Sequence, residues 1–295
     1  MKIGIAGTGR MGAAMALRLM EVGHELTVWN RTPEKTRDLA AAGAKVATTP
    51  AALSDAVEVI ITMLTDDKSI ADLYHRPQGL LAGNVKGKLF VEMSTVRPEV
   101  ERALADKIRQ KNGSMIDCPV GGSVEPARAG KLFGFVGGSD SDVARIRPVL
   151  DQLCRRVEHV GPVGAGASMK LAINLPLMVY WQAFGEALAL VAPLKLDPDR
   201  LISIFSDTSG GPNVLKARGA AAAAAMRGKS GGPVTFDINL ACKDLRIMIA
   251  EAKSLGTDAP VSQSALTSFE EAVKEGMGDA DGAALPARWM KRVKA

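Results

Sequence analysis

Histidine, cysteine and aromatic side chains are all scarce in this sequence of 295 residues, which holds three His, three Cys and only 4% Phe, Trp and Tyr together. His24, His75 and His159 stand apart from one another and from Cys or acidic residues at ligand spacing, which argues against a protein-built metal site. Cys118, Cys154 and Cys242 form no CxxC pair and, being odd in number, cannot all be bridged. They read as buried thiols of a reducing compartment. Met1 leads directly into the first predicted strand and leaves no room for a signal peptide, and no apolar run reaches membrane-spanning length. The expected location is therefore cytoplasmic, with no membrane partner. A basic cluster interleaved with aromatics is also missing. The net charge of +5 comes from Lys and Arg scattered among acids, which gives no support to nucleic-acid binding and leaves a mild positive field suited to acidic small molecules.

What is present is ordinary in bulk and specific in detail. A hydrophobic content of 47% against 23% charged residues is that of a globular protein, and the length suggests about two domains. Residues 1–6 form a short apolar strand that runs into Gly7-Thr8-Gly9-Arg10-Met11-Gly12. A helix with apolar positions Met11, Met15, Leu19 and Met20 follows, and a second strand over 26–29 delivers Asn30-Arg31-Thr32. Gly7 allows the tight turn, Gly9 lets backbone approach a pyrophosphate, and Gly12 lets helix pack on strand. The amides of Arg10 and Met11 lie at the helix start, where the positive end of the helix dipole holds phosphates. A bare GxGxxG is a weak signal that a structural turn also satisfies; here strand, turn, helix and strand arrive in the required order.

The end of the second strand bears on the cofactor. An NAD site places Asp or Glu about 20 residues after the glycines, to bind the ribose 2′-hydroxyl. This chain has neutral Asn30 followed by Arg31 and Thr32. A guanidinium and a hydroxyl can hydrogen-bond a 2′-phosphate that a carboxylate would repel. The expectation is NADP(H) in preference to NAD(H). The plainer alternative makes Arg31 a solvated charge and Thr32 a cap for a helix starting at Pro33.

Further strands are expected over 45–47, 57–63, 88–92, 114–116, 132–136 and 157–160, with helices between them. Such alternation predicts a Rossmann-type, doubly wound parallel sheet. At about Gly161 the pattern changes. A long apolar helix over 168–191, kinked at Pro176, opens a region that reads as all-helical, with helices over 198–206, 212–226, 236–255 and 262–274. The expected domains are 1–162 for the dinucleotide and 163–295 for substrate and oligomerisation, hinged near Gly164, with the active site in the cleft between them.

Lys170 and Asn174 stand four apart on the long helix and so share a face. An ammonium among Met169, Leu171 and Ile173 is partly desolvated and suited to proton transfer, although periodicity alone favours a lysine snorkelling to the surface. Ser94-Thr95 lies at the carboxyl end of one predicted strand and Asp117 to Ser123 after the next, where the glycines can offer bare amides to a carboxylate. Lys243-Asp244-Leu245 adds a charged pair to an apolar face.

Together these blocks resemble the β-hydroxyacid dehydrogenase family, the group of 3-hydroxyisobutyrate dehydrogenase, tartronate semialdehyde reductase and the succinic semialdehyde reductases. The resemblance runs through Gly7–Gly12 with Met15-Ala16, Ser94-Thr95 with Pro98, Asp117-Cys118-Pro119-Val120, Ala127 with Gly130 and Leu132, Gly137-Gly138, Gly164-Ala165-Gly166 with Lys170 and Asn174, and Lys243-Asp244-Leu245. It implies that Lys170 is the catalytic lysine and that Asn174 helps to hold the substrate. It implies cofactor contacts from Leu64, Thr95 and Lys243, a carboxylate site at or beside Ser94, Gly122 and Ser123, and an NADPH signature in Asn30, Arg31 and Thr32. The implied reaction passes hydride between NADP(H) and a small carboxylate-bearing carbonyl compound; separately, the apolar helices of the second domain point to a homodimer or homotetramer. An imine reductase of the same fold, or a non-catalytic NADP-binding regulator, is the alternative. One departure stands out: the family's Ser-Gly-Gly after Pro-Val is Gly121-Gly122-Ser123 here.

Overall fold

The computed structural model describes residues 1–208 and 210–292. Two compact units divide the chain, Met1–Lys170 and the remainder from Leu171. The first holds strands β1 (Lys2–Ala6), β2 (Glu25–Trp29), β3 (Lys45–Val46), β4 (Val59–Thr62), β5 (Leu89–Glu92), β6 (Ser114–Asp117), β7 (Val120–Gly121), β8 (Leu132–Gly137) and β9 (Cys154–Gly161). Its helices are α1 (Arg10–Glu21), α2 (Arg37–Ala41), α3 (Pro50–Ala56), α4 (Asp67–His75), α5 (Pro98–Gln110), α6 (Val124–Arg128) and α7 (Asp140–Leu153). Helix α8 (Ala165–Val191) begins in this unit and continues into the next, which adds α9 (Pro198–Ser206), α10 (Asn213–Met226), α11 (Ile238–Ser254), α12 (Pro260–Ala272) and α13 (Leu285–Arg292).

The sheet order is β3-β2-β1-β4-β5-β6-β8-β7, with β9 beside β8, and its first six strands pair in parallel. Order reverses between β1 and β4, the switch point at which open α/β sheets bind ligands. Alternate residues of each strand feed two different cores. Ile3, Ile5, Val59, Ile61, Leu89, Val91 and Ile116 pack with Met15 and Leu19 of α1 on one face. Ala6, Ile60, Phe90 and Met115 pack with Leu53, Tyr74, Leu104 and Ile108 on the other. Both faces are buried, so these strands read as apolar runs without alternation.

The doubly wound fold is the expected one, with one refinement beyond β6. Strand β8 pairs antiparallel with β6 and β7, which form one line along it broken at Cys118-Pro119, and β9 runs parallel to β8. The connection from β7 to β8 contains only the five-residue α6, too short for the crossover that a parallel return needs. Strand spacing alone could not distinguish the two cases.

In the second unit, Leu171, Met178, Trp181, Phe184 and Leu188 of α8 pack with Leu201, Leu215, Leu245, Met248 and Phe269. By length and composition alone, Ala165–Leu194 is apolar enough to cross a membrane. This corrects the expectation that no stretch reaches that length. Of its most apolar window, 33% is buried in the structure. Pro176 lies within α8, and α13, although strongly amphipathic, is not among the helices expected from the sequence.

Candidate active site

The glycine loop joins β1 to α1. Gly7 has φ +96°, and a Cβ there would stand 2.3 Å from the Met63 carbonyl oxygen. A Cβ on Gly12 would stand 2.0 Å from the Gly7 carbonyl oxygen, so helix and turn touch directly. Gly9 is different. Its backbone is extended, with φ −68° and ψ −170° at the N-cap of α1, and a Cβ would meet no protein atom within 4 Å. Neither strain nor protein packing requires glycine there. The open space leaves room for the close approach of a ligand, and the first-turn amides of α1, including those of Arg10 and Met11, lie beside it. The residues present therefore fit a dinucleotide pyrophosphate.

Asn30 braces this loop from the end of β2. Its Oδ1 accepts the Thr8 N–H at 3.1 Å, and its Nδ2 donates to the Thr32 carbonyl at 3.0 Å. The Thr8 hydroxyl donates to the Lys35 carbonyl at 3.0 Å. A cleft of about 140 Å³ opens here, lined by Gly7, Gly9, Asn30, Arg31, Thr32 and Leu64 together with Trp29, Lys35 and Arg76. Thr32 is the N-cap residue of the 3-10 turn at Pro33, yet its side chain makes no capping hydrogen bond. The guanidinium of Arg76 lies over the Trp29 ring, 5.6 Å from its centroid, and its Nε donates to the Asp72 carbonyl. Asp72 also lines the cleft, but its carboxylate is engaged by Lys68 at 2.7 Å, which holds its pKa below the usual range.

At the carboxyl end of β5 the chain buries an acid. Glu92 accepts hydrogen bonds from the Ser94 N–H, the Ser94 hydroxyl and the Thr62 hydroxyl. Burial pushes its carboxyl up to about 7 against the pull of those donors. The Ser94 oxygen in turn accepts the Leu64 N–H at 2.8 Å, so Leu64, at the cleft, is tied to β5 through one hydroxyl. Ser94 is wholly buried in this role, whereas Thr95 beside it is half-buried. In the next strand Asp117 pairs in register with Glu92, and its carboxylate accepts amides from the start of α8. Glu101 of α5 is also buried, and neither of its carboxyl oxygens has a hydrogen-bond partner. Burial, reinforced by Glu92, Asp117 and Asp67, raises its pKa well above the usual range, so it is held neutral.

Gly122 follows β7 with φ +124°, and a Cβ there would stand 2.8 Å from Leu132 Cδ2. Ser123 is the N-cap residue of α6 and makes no side-chain capping bond. Lys170 stands half-buried near the start of α8. One turn later Asn174 is buried, its Nδ2 at 3.4 Å from Asp244 Oδ2 on α11. Asp244 is 2% exposed and pairs with its neighbour Lys243 at 2.6 Å.

Within the first unit, Gly7, Gly9, Arg10, Met11, Gly12, Asn30, Arg31, Thr32, Leu64, Ser94 and Thr95 thus follow the carboxyl ends of β1, β2, β4 and β5, and Asp117 ends β6 beside the start of the helix bearing Lys170. Asn174 and Lys243 meet in the second unit through Asp244. The pattern of the sequence gave no weight to Lys35, Arg76 or Glu92, and Asp244 entered only as half of a charged pair with Lys243. A lysine four residues beyond Arg31 was a legible signal. Nothing local marked Arg76, which reaches the cleft from α4. Among the described residues no group of His, Cys, Asp and Glu is arranged to hold a metal ion.

Residues 2–161 match the family model of the NAD-binding domain of 6-phosphogluconate dehydrogenase. Residues 164–288 match that of the NAD-binding domain of NADP-dependent 3-hydroxyisobutyrate dehydrogenase. Glyoxylate/succinic semialdehyde reductase 1 of Arabidopsis thaliana is 32% identical over 285 residues, 97% of each chain. The 3-hydroxyisobutyrate dehydrogenase of Pseudomonas aeruginosa is 34% identical over 278 residues, 90% of each chain. Among solved structures, that of Mycobacterium tuberculosis 3-hydroxyisobutyrate dehydrogenase has a TM-score of 0.83 at 25% identity, covering 97% of this chain and 98% of its own. A reductive aminase from Aspergillus terreus, also 25% identical over 96% of this chain and 97% of its own, has a TM-score of 0.63. With a dinucleotide loop built as described and both parts of its sequence matched, the chain belongs to the β-hydroxyacid dehydrogenase family of NAD(P)-dependent oxidoreductases.

Proposed function

We propose that this enzyme is an NADPH-preferring reductase of a small carbonyl acid, interconverting an aldehyde or semialdehyde with its hydroxy acid. The observation that carries the cofactor preference is the end of β2. Asn30 stands where an NAD site keeps a carboxylate, and Arg31, Lys35 and Arg76 bring three cations to one cleft, with Thr32 beside them and its hydroxyl unused for capping. Such a set suits a 2′-phosphate dianion.

The nicotinamide, when bound, supplies or accepts the hydride. Lys170 donates a proton to the carbonyl oxygen as that oxygen gains negative charge, and in reverse takes it from the hydroxyl. Asn174, held by Asp244, orients the substrate or the lysine, and Lys243 joins Leu64 and Thr95 as a cofactor contact. Gly122 and Ser123 offer amides and a hydroxyl to the substrate carboxylate. Ser94 acts indirectly, its buried hydroxyl spent on Glu92 and on the Leu64 amide. The apolar helices of the second unit, which leave Leu190, Leu194, Leu255 and Val261 exposed, suit a homodimer or homotetramer.

The imine reductase reading has less support. The reductive aminase superposes at the lower TM-score, and the family resemblance includes Lys170 itself. The test is NADPH oxidation with succinic semialdehyde, glyoxylate, tartronate semialdehyde, methylmalonate semialdehyde and an uncharged aldehyde, with NADH in parallel. Saturable turnover of one acid, faster with NADPH, is expected. Lys170→Ala should bind NADPH normally and turn over at less than about a tenth of the wild-type rate. Turnover of imines alone would overturn the proposal.

A further inference from the structure

Helix α8 carries Lys170, and its start is held by a residue remote in sequence. The first N–H groups of an α-helix have no partners within it and carry the positive end of its dipole. At the start of α8 the Ala165 N–H donates to the Pro162 carbonyl, and two amides around it find their acceptors in Asp117, at the carboxyl end of β6. Gly164 N–H donates to Asp117 Oδ1 at 2.7 Å, and Ala167 N–H donates to Oδ2 at 2.8 Å. Asp117 is wholly buried.

The surrounding chain is cut to fit this carboxylate. A Cβ on Gly137 would stand 2.3 Å from Oδ1, and one on Gly166 would stand 2.8 Å from Oδ2 and 2.2 Å from the Phe135 carbonyl oxygen. Neither glycine has a positive φ, so each is required by space alone. Lys170 lies three residues beyond Ala167 in the same helix, about 4.5 Å along the axis. Any movement of the anchored turn is passed to it rigidly.

We propose that Asp117 is the positioning residue of Lys170: as a carboxylate it pins the first turn of α8 to the edge of the sheet and so sets where the Lys170 ammonium stands. This rests on the assignment of Lys170 as the acid–base group. Protonation would leave one of the two amides without a full acceptor and loosen the anchor. Burial lifts the Asp117 carboxyl to about 6, opposed by the amides of Gly164, Ala167 and Gly166. The other ionisable groups around it are Glu92 on β5, Glu101 and Arg102 on α5, and Cys118, the residue that follows it.

The test compares Asp117→Asn, Gly137→Ala and Lys170→Ala with wild type in kcat, KM, NADPH affinity, melting temperature and kcat against pH. Asparagine offers one acceptor where two are needed, and alanine at 137 displaces the carboxylate while leaving it charged. Both are expected to lower kcat about 10- to 100-fold, with NADPH affinity within about threefold of wild type. Wild-type kcat should fall below about pH 6, and Asp117→Asn should lack that limb; a limb near 7 common to both belongs to Glu92. Asp117→Asn with at least half the wild-type kcat and an unchanged profile would reduce Asp117 to a helix cap. Parallel loss of kcat, NADPH affinity and melting temperature in both variants would make it a fold anchor, which also overturns the proposal. An active Lys170→Ala removes the reading beneath it, whatever the Asp117 variants do.

Discussion

The backbone N–H of Thr8 donates to the side-chain oxygen of Asn30 across 3.1 Å, so the residue that ends β2 also holds the turn of the glycine loop. Asn30 therefore has two properties, an acceptor for the loop and the lack of a charge beside the cleft. Only the second bears on which dinucleotide is preferred.

Asn30→Asp separates them. The Thr8 bond survives, the donor to the Thr32 carbonyl is lost, and a carboxylate now faces the position of a 2′-phosphate. The ratio of kcat/KM for NADPH to that for NADH should fall at least about tenfold, or about 1.4 kcal/mol, while the melting temperature changes little. Steady-state kinetics with both cofactors measures it. An unchanged ratio would show that Arg31, Lys35 and Arg76 do not meet a 2′-phosphate.

Gly9 and Gly12 should answer differently to the same added methyl group. At Gly9 a Cβ meets no protein atom, so Gly9→Ala should melt near wild type and bind NADPH at least about tenfold more weakly. At Gly12 it meets the Gly7 carbonyl oxygen at 2.0 Å, and Gly12→Ala should lose about 1–3 kcal/mol of stability through overpacking. Thermal melting and cofactor titration of both variants would show it. Equal loss of stability in the two would mean that Gly9 serves the fold.

Glu92 carries a stability effect with a definite sign. Its folded pKa of about 7 lies above the 4.5 of a free glutamate, so the folded chain holds this proton more tightly than the unfolded one. The penalty is fully present above about pH 7 and vanishes below about 4.5, and from this group stability rises as pH falls between them. The effect is on the order of 3 kcal/mol. Glu92→Gln, which keeps an acceptor for Ser94, should melt above wild type at pH 8 and close to it at pH 5. A variant less stable at pH 8 would show that the hydrogen bonds from Thr62 and Ser94 to the charged form outweigh its burial.

Much of the fold was legible because its signals are local. The apolar runs of β1, β4 and β5 mark strands buried on both faces, and the glycines from Gly7 to Gly12 mark the turn into α1. Pairing direction was not local. Asp117 and Gly137 face each other antiparallel only because the short connection through α6 cannot cross over. In the site, Ser94 could be placed at a strand end by pattern alone. The direction of its hydroxyl, toward Glu92 and not outward, depends on a buried network that includes Thr62 on the neighbouring strand.

The sequence by itself determined the dinucleotide loop, the neutral end of β2 and the family. Each of these is written in contiguous residues whose turn, cap and charge act on their immediate neighbours. Tertiary structure alone decided that Arg76 lies over Trp29, that Asn174 meets Asp244, and that Asp117 holds the start of the helix bearing Lys170 from 47 residues away. Such contacts depend on strand register and helix packing, which join residues that no stretch of chain brings together.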